Sequence, residues 1–120
     1  MNNKPTGNKG ENLAANFLEK KGYEIITRNF LIRGGEIDIV ARDKDFLVFV
    51  EVKARYSHKY GLPEESITYG KLKALQRTAL FYIQKIGWGN KPYRFDLVTI
   101  DYTEDKENPK VELITNITFS

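Results

Sequence analysis

The chain has 120 residues, 41% hydrophobic and 12% aromatic, which predicts one folded domain and excludes a disordered chain. It contains no cysteine, which excludes disulfides and thiolate metal sites, so we expect a reducing cytoplasm. The net charge of +3 permits a nucleic-acid partner without indicating one. No apolar run approaches the roughly 20 residues that cross a bilayer, and the N-terminus lacks the apolar core of a signal peptide, so we expect neither membrane insertion nor export.

The N-terminal part predicts an arm followed by a helix. We expect residues 1–9, which are polar, to form a flexible arm and residues 10–120 to form a single domain. Asn8 and Glu11 fit a capping box, in which the Asn8 side-chain oxygen accepts from a backbone amide of the first turn. The helix then runs to about Lys21.

Three strands are predicted next. Residues 23–29 form the first strand, and the pair Gly34–Gly35 after it allows a sharp turn or a bulge. The stretch from Gly35 to Arg55 follows as a β-hairpin, whose polar residues 42–45 suit the turn.

This hairpin carries charged residues inside apolar strands. With a side-chain period of two, Asp38 lies on one face of the first hairpin strand, while Glu51 and Lys53 share a face of the second. Strand pairing brings the three side chains together. Such charges are costly on an apolar sheet unless they have a function.

The remainder predicts a long helix between a loop and two further strands. Residues 55–69 are loop-like, Thr68 caps a helix through about Ile86, and strands follow at residues 93–102 and 111–118. The order α-β-β-β-α-β-β predicts an α/β fold with a mixed β-sheet flanked by helices.

Asp38, Glu51 and Lys53 favour the metal-dependent hydrolysis of a phosphodiester. Two close carboxylates raise each other's pKa unless a cation lies between them, and Mg²⁺ accepts one or two carboxylates together with water and phosphate oxygens. Such an ion lowers the pKa of a bound water and neutralises charge on a phosphoryl group. Lys53 can steer the attacking water or stabilise the transition state. We therefore predict Mg²⁺ or Mn²⁺ as the cofactor.

Asp38 and the later Glu51-Val52-Lys53 resemble the PD-(D/E)xK signature of restriction-endonuclease-like nucleases, with Ile37 in place of the structural proline. Over roughly residues 10–100 the chain is also similar to the uncharacterised YraN-type bacterial family. The residues that carry this second resemblance are Gly10-Glu11, Ala14, Phe17-Leu18, Lys21-Gly22-Tyr23, Gly35-Glu36-Ile37-Asp38, Phe49-Val50-Glu51-Val52-Lys53, Gly61, Pro63 and Arg94-Phe95-Asp96. The resemblance implies a restriction-endonuclease-like fold of the Holliday-junction-resolvase branch, but no established activity.

The resemblance also implies a role for each matching residue. Asp38, Glu51 and the backbone carbonyl of Val52 would be metal ligands, and Lys53 would be the catalytic amine. Glu11 matches the helix glutamate that completes the acidic cluster in resolvase-like nucleases. The resolvase-like resemblance is also compatible with a homodimer, because a two-fold axis would place two sites on a symmetric substrate.

Basic residues near the hairpin and the second helix predict a surface that contacts phosphates, with DNA favoured over RNA. The residues chosen as nucleic-acid contacts are Arg55, Lys71 and Arg77. Plainer interpretations remain open, because Glu51 and Lys53 also fit a surface ion pair and Glu11 also fits a helix cap alone. The same fold suits a non-catalytic nucleic-acid-binding module or an interaction protein.

Overall fold

The computed structural model describes residues 9–57 and 68–117, which form two helices and five strands. Their bounds are α1 Lys9–Lys20, β1 Glu24–Ile32, β2 Gly35–Asp43, β3 Phe46–Arg55, α2 Tyr69–Ile86, β4 Tyr93–Asp101 and β5 Lys110–Ile114. This order confirms the predicted α-β-β-β-α-β-β arrangement. Lys9 belongs to α1, and the rest of the predicted arm with the Asn8 cap lies outside the described residues.

The strands form one mixed sheet in the order β1-β2-β3-β4-β5. All neighbours are antiparallel except β3 and β4, which are parallel, so the chain crosses over through α2 between them. The sheet carries a core on each face. On the α1 side the core includes Leu18, Val48, Val50, Val98 and Ile100, and on the α2 side it includes Leu47, Phe49, Leu75, Ala79 and Tyr82.

The bounds of α2 follow from its capping residues. Thr68 has an extended backbone and its hydroxyl accepts from the Lys71 amide at 3.1 Å, which satisfies a first-turn N–H. Gly87 ends the helix in the left-handed region, with φ of 70°. The predicted helix from the Thr68 cap to Ile86 is confirmed. Among the described helices, none is long and apolar enough to cross a membrane.

The first strand extends beyond its predicted end. β1 occupies Glu24–Ile32 rather than residues 23–29, because it pairs with β2 as far as a tight turn. Gly34 takes φ of 87° in that turn, a conformation that favours glycine. A Cβ atom on Gly35 would overlap the Thr78 hydroxyl, so glycine at this position lets β2 lie close to α2.

The β2–β3 ladder ends where the candidate site begins. The register of paired residues extends from the hairpin turn to Ile39 and Val50. Past that pair the Val52 amide donates to the Asp38 carboxylate, at 2.8 Å to Oδ2. The sheet therefore opens beside Asp38, on the side that α2 covers.

Candidate active site

A pocket of about 370 Å³ lies where β2, β3 and the start of α2 meet. The described residues that line it are Glu36, Asp38, Glu51, Val52, Lys53, Lys71, Ala74 and Leu75. The structure thus brings Asp38, Glu51, Val52 and Lys53 to one cavity. The alternation of side chains along the hairpin accounts for this arrangement, because the three charged residues point to the α2 side of the sheet.

Asp38 is held in place by the backbone of β3. Its Oδ2 accepts the Val52 N–H at 2.8 Å, at the point where the two strands no longer pair. A hydrogen bond from an amide to a carboxylate is charge-assisted and about twice as strong as a neutral one. The contact therefore orients the Asp38 carboxylate along the wall of the pocket.

Glu51 is buried, with 7% of its surface exposed, and its partner comes from α2. The Lys71 ammonium lies 3.0 Å from Glu51 Oε2. A buried carboxylate needs such a partner, because the loss of hydration is costly without a compensating charge. This ion pair joins the middle of the sheet to the first turn of α2.

The two lysines of the pocket differ in their affinity for a proton. Burial lowers the pKa of the Lys53 amine, and the hydrogen bond and charge of Lys71 lower it further, against the opposing pull of the Glu51 and Asp38 carboxylates. Burial also acts to lower the pKa of Lys71, but its hydrogen bonds to Lys53 and Glu51 and the nearby negative charge outweigh burial and raise it. The Lys53 amine consequently releases its proton more readily than the Lys71 amine.

Glu11 lies elsewhere, in the first turn of α1. Its Oε1 accepts from the Arg28 guanidinium at 2.9 and 3.0 Å and from the Asn29 side-chain amide at 3.0 Å. It is buried, with 3% exposed, and is not among the lining residues of the pocket. Within residues 9–57 and 68–117, no group of three acidic, histidine or cysteine side chains is close enough together to hold a metal ion.

The three predicted nucleic-acid contacts occupy different places. Lys71 is inside the pocket, paired with Glu51. Arg77 extends from α2 to the β1–β2 turn, where it donates to the Gly34 carbonyl at 3.0 Å. Arg55, at the end of β3, donates to the Ser57 carbonyl at 3.1 Å.

The sequence assigned Lys71 to a phosphate-contacting surface and did not predict its place in the pocket beside Glu51. One signal was available. Lys71 precedes Ala74 and Leu75 by three and four residues, so the three side chains lie on neighbouring parts of one helix face, and Leu75 is buried. A lysine at the edge of a buried stripe near a capped N-terminus is placed to reach a carboxylate on the sheet.

Comparison with known proteins identifies the family. Residues 10–100 match the uncharacterised protein family UPF0102. A UPF0102 protein of Clostridium botulinum strain Loch Maree is 45% identical over 115 residues, covering 95% of this chain and 94% of the relative. A UPF0102 protein of Caldicellulosiruptor saccharolyticus is 44% identical over 116 residues, covering 97% of this chain and 98% of the relative. The chain therefore belongs to the UPF0102 family, which confirms the YraN-type membership predicted from its residues.

Proposed function

We propose that this protein is a divalent-metal-dependent nuclease that hydrolyses phosphodiester bonds, with DNA as the favoured substrate. The observation that carries the proposal is the placement of Asp38, Glu51 and Lys53 around one pocket. Two carboxylates can hold a metal ion that acidifies a water molecule, and an amine beside them can orient that water or stabilise the charge that develops on the phosphate.

The donor atoms of the pocket suit a hard cation. Asp38 and Glu51 supply carboxylate oxygens, and Val52 lines the same pocket and can supply a backbone carbonyl. Oxygen ligands of this kind are those that Mg²⁺ and Mn²⁺ prefer. A bound divalent ion would supply charge neutralisation at the phosphoryl group and acidify a water molecule.

The protein's own groups would divide the remaining tasks. Asp38, fixed by the Val52 amide, holds the geometry of the site. Lys53 orients the attacking water, and the lowering of its pKa makes the neutral amine, the form that can take up the proton of the water, more accessible. Lys71 keeps its positive charge and stabilises the charge that develops on the phosphate.

A cleavage assay tests the proposal. The purified protein is incubated with supercoiled plasmid, a branched DNA and a structured RNA, in Mg²⁺, in Mn²⁺ and in a chelator. We expect cleavage only with metal, and Lys53→Ala should reduce the rate by about 10²–10⁴-fold, the usual contribution of proton transfer. Lys73→Ala is the matched control, because Lys73 is an exposed lysine of α2 outside the pocket. Equal cleavage by the Lys53→Ala variant would reveal a contaminating nuclease and contradict the proposal.

A second function is a non-catalytic nucleic-acid-binding module. The Lys71–Glu51 ion pair favours it, because an ammonium already neutralises the carboxylate that a metal would use. Salt-dependent binding that survives Glu51→Ala, together with no cleavage of any of the three substrates, would support this second function.

A further inference from the structure

A second concave surface lies on the other side of the β1–β2 turn. It encloses about 640 Å³ and is formed by residues 30–33 of β1 and the adjoining turn, with Arg77, Phe81 and Lys85 of α2. We call it the Phe81 groove. The family comparison and the active-site pocket assign no role to it.

The floor of the Phe81 groove is aromatic and accessible. Phe81 is 52% exposed, and its ring centroid lies 6.4 Å from that of Phe30. Phe30 in turn packs edge-on against Tyr82 at 4.9 Å, so it is anchored to the core. The groove therefore presents an exposed ring supported by a fixed one, and stacking ligands favour such a surface.

The sides of the Phe81 groove are basic. Arg33, Arg77 and Lys85 line it, and its described lining includes no carboxylate. Arg77 is held by the Gly34 carbonyl at 3.0 Å, and the Lys85 amine lies 5.9 Å from the Phe30 ring centre. An aromatic floor between cations matches a ligand that combines a flat ring with negative charge.

The groove and the candidate active site lie along the same helix, α2. Lys71 and Ala74 line the active-site pocket, while Phe81 and Lys85 line the groove, and these positions belong to one helix face. At 1.5 Å per residue, Lys71 and Phe81 are roughly 15 Å apart along the axis, or about four bases at the rise of a stacked strand. A strand held at the pocket would thus reach the groove within a few nucleotides.

We propose that the Phe81 groove binds an unpaired nucleobase of the substrate strand, which stacks on Phe81 while Arg33, Arg77 and Lys85 contact the flanking phosphates. This inference rests on the proposed nucleic-acid function. A second copy of the chain fits the groove less well, because a symmetric contact would bring the basic residues of both copies together. The groove makes the site selective for substrates with a single-stranded segment next to the scissile bond.

The test measures binding without cleavage, in the presence of a chelator. Fluorescence anisotropy gives the affinity for a labelled twelve-nucleotide thymidine strand and for an abasic strand of equal length. Phe81→Leu removes the ring but keeps an apolar side chain on an exposed helix face. We expect it to weaken binding to the thymidine strand by about tenfold, in line with base–aromatic stacking, and to leave the abasic strand within about twofold.

Two further variants separate stacking from charge. Leu80→Ala alters the neighbouring exposed residue, which lies outside the groove, and should leave both affinities unchanged. Lys85→Ala should weaken both strands alike and reduce the slope of log affinity against log salt by about 0.7, the value for one phosphate contact on a single strand. Of these three variants, only Phe81→Leu should therefore lose affinity for the thymidine strand and not for the abasic strand.

Each contrary result has a distinct meaning. If Phe81→Leu weakens both strands equally or neither strand, the base-stacking inference is wrong, while metal-dependent cleavage would still support the proposed function. If Phe81→Leu instead converts a dimer to a monomer in light scattering, the groove is an interface between copies and the inference is overturned. If the wild-type protein binds neither strand and cleaves nothing, the proposed function fails as well.

Discussion

At the scale of single residues, the contact between Lys71 and Glu51 would decide how the pocket receives the proposed metal ion. The Lys71 ammonium lies 3.0 Å from Glu51 Oε2, in the region where the proposed ion would bind. Two cations at one carboxylate repel each other, so a divalent ion must displace this ammonium or share Glu51 with it. Lys71 would therefore oppose binding of the proposed ion, although it stabilises the buried Glu51 carboxylate in the absence of metal.

Substitution of Lys71 by methionine tests this competition. Lys71→Met keeps nearly the length of the side chain and removes its charge, so we expect the Kd for Mn²⁺ to fall by about 1.4- to fivefold. The magnitude follows from the roughly 0.2–1 kcal/mol of a partly exposed ion pair, since the Lys71 side chain is 40% exposed. Isothermal titration with Mn²⁺ measures the change directly.

Lys73→Met provides the matched control for the Mn²⁺ titration. Lys73 lies on the same helix, and its amine is 5.4 Å from the centre of the Tyr69 ring. Its substitution therefore changes the net charge as Lys71→Met does but leaves the contact with Glu51 in place. Its substitution should leave the Mn²⁺ affinity nearly constant. An equal gain in Mn²⁺ affinity in both variants would mean that only the long-range effect of the net charge matters. Weaker Mn²⁺ binding by the Lys71→Met variant would contradict the competition between Lys71 and the metal ion.

At the scale of elements, the hairpin and α2 were predictable because their signals are local. Alternation along residues 36–53 and the polar turn define β2 and β3, and Thr68 and Gly87 define α2. The end of β1 was not predictable, since β1 continues only because β2 supplies partners as far as Ile32.

The side-chain partners that the sequence could not predict at the site come from contacts between separate elements. The alternation of side chains along each strand indicates that Asp38 and Glu51 share a face of the sheet. Whether a helix brings a cation to that face depends on how α2 crosses the sheet. The same limit applies to Glu11, whose position in α1 was predicted while its partner Arg28, seventeen residues on, was not. Long-range packing, rather than local propensity, selects these partners.

The packing of α2 on β2 depends on Gly35. A Cβ atom at this position would overlap the Thr78 hydroxyl, and the Thr78 side chain is fully buried with its hydroxyl bonded to the Ala74 carbonyl at 2.8 Å. Gly35→Ala should therefore lower the free energy of unfolding by about 1–3 kcal/mol, the usual cost of overpacking a core. Urea denaturation measures the change.

A double variant and a matched glycine check the cause of this loss. In the double variant Gly35→Ala with Thr78→Ala the obstructing hydroxyl is absent. The double variant should therefore lose less free energy of unfolding than the two single variants lose in sum. Gly70→Ala is the control, because a Cβ there meets no atom within 4 Å and alanine favours the helix. Strict additivity of the two core substitutions would show that the Gly35–Thr78 contact is not the source of the strain.

At the scale of the whole molecule, one buried polar network joins distant parts of the chain at the end of the sheet away from the pocket. The Arg94 guanidinium donates to Asp96 at 3.0 Å, to Asp43 at 2.9 Å and to the Tyr23 hydroxyl at 2.8 Å. Asp96 is fully buried and also accepts from the Asn116 amide at 2.8 Å. Arg94 and Asp96, which belong to the family pattern, therefore act in this structure as a structural link between β2, β4 and the segments beside α1 and β5.

Tyr23→Phe tests this link through its pH dependence. The Tyr23 hydroxyl donates to Asp96 Oδ2 at 2.8 Å, and burial, followed by the Asp96 hydrogen bond and charge, raises its pKa from 10.0 to about 12. A raised pKa contributes stability that is complete below pH 10 and is lost as the pH rises towards 12. At neutral pH the free energy of unfolding of the variant should be about 1–3 kcal/mol lower than that of the wild type. This deficit should shrink between pH 10 and 12, because the wild-type tyrosine ionises there and phenylalanine cannot.

Urea denaturation across that pH range measures the deficit. Tyr69→Phe is the control, because the Tyr69 side chain is exposed. A deficit that stays constant up to pH 12 would mean that Tyr23 ionises equally in both states and that the network does not hold its proton.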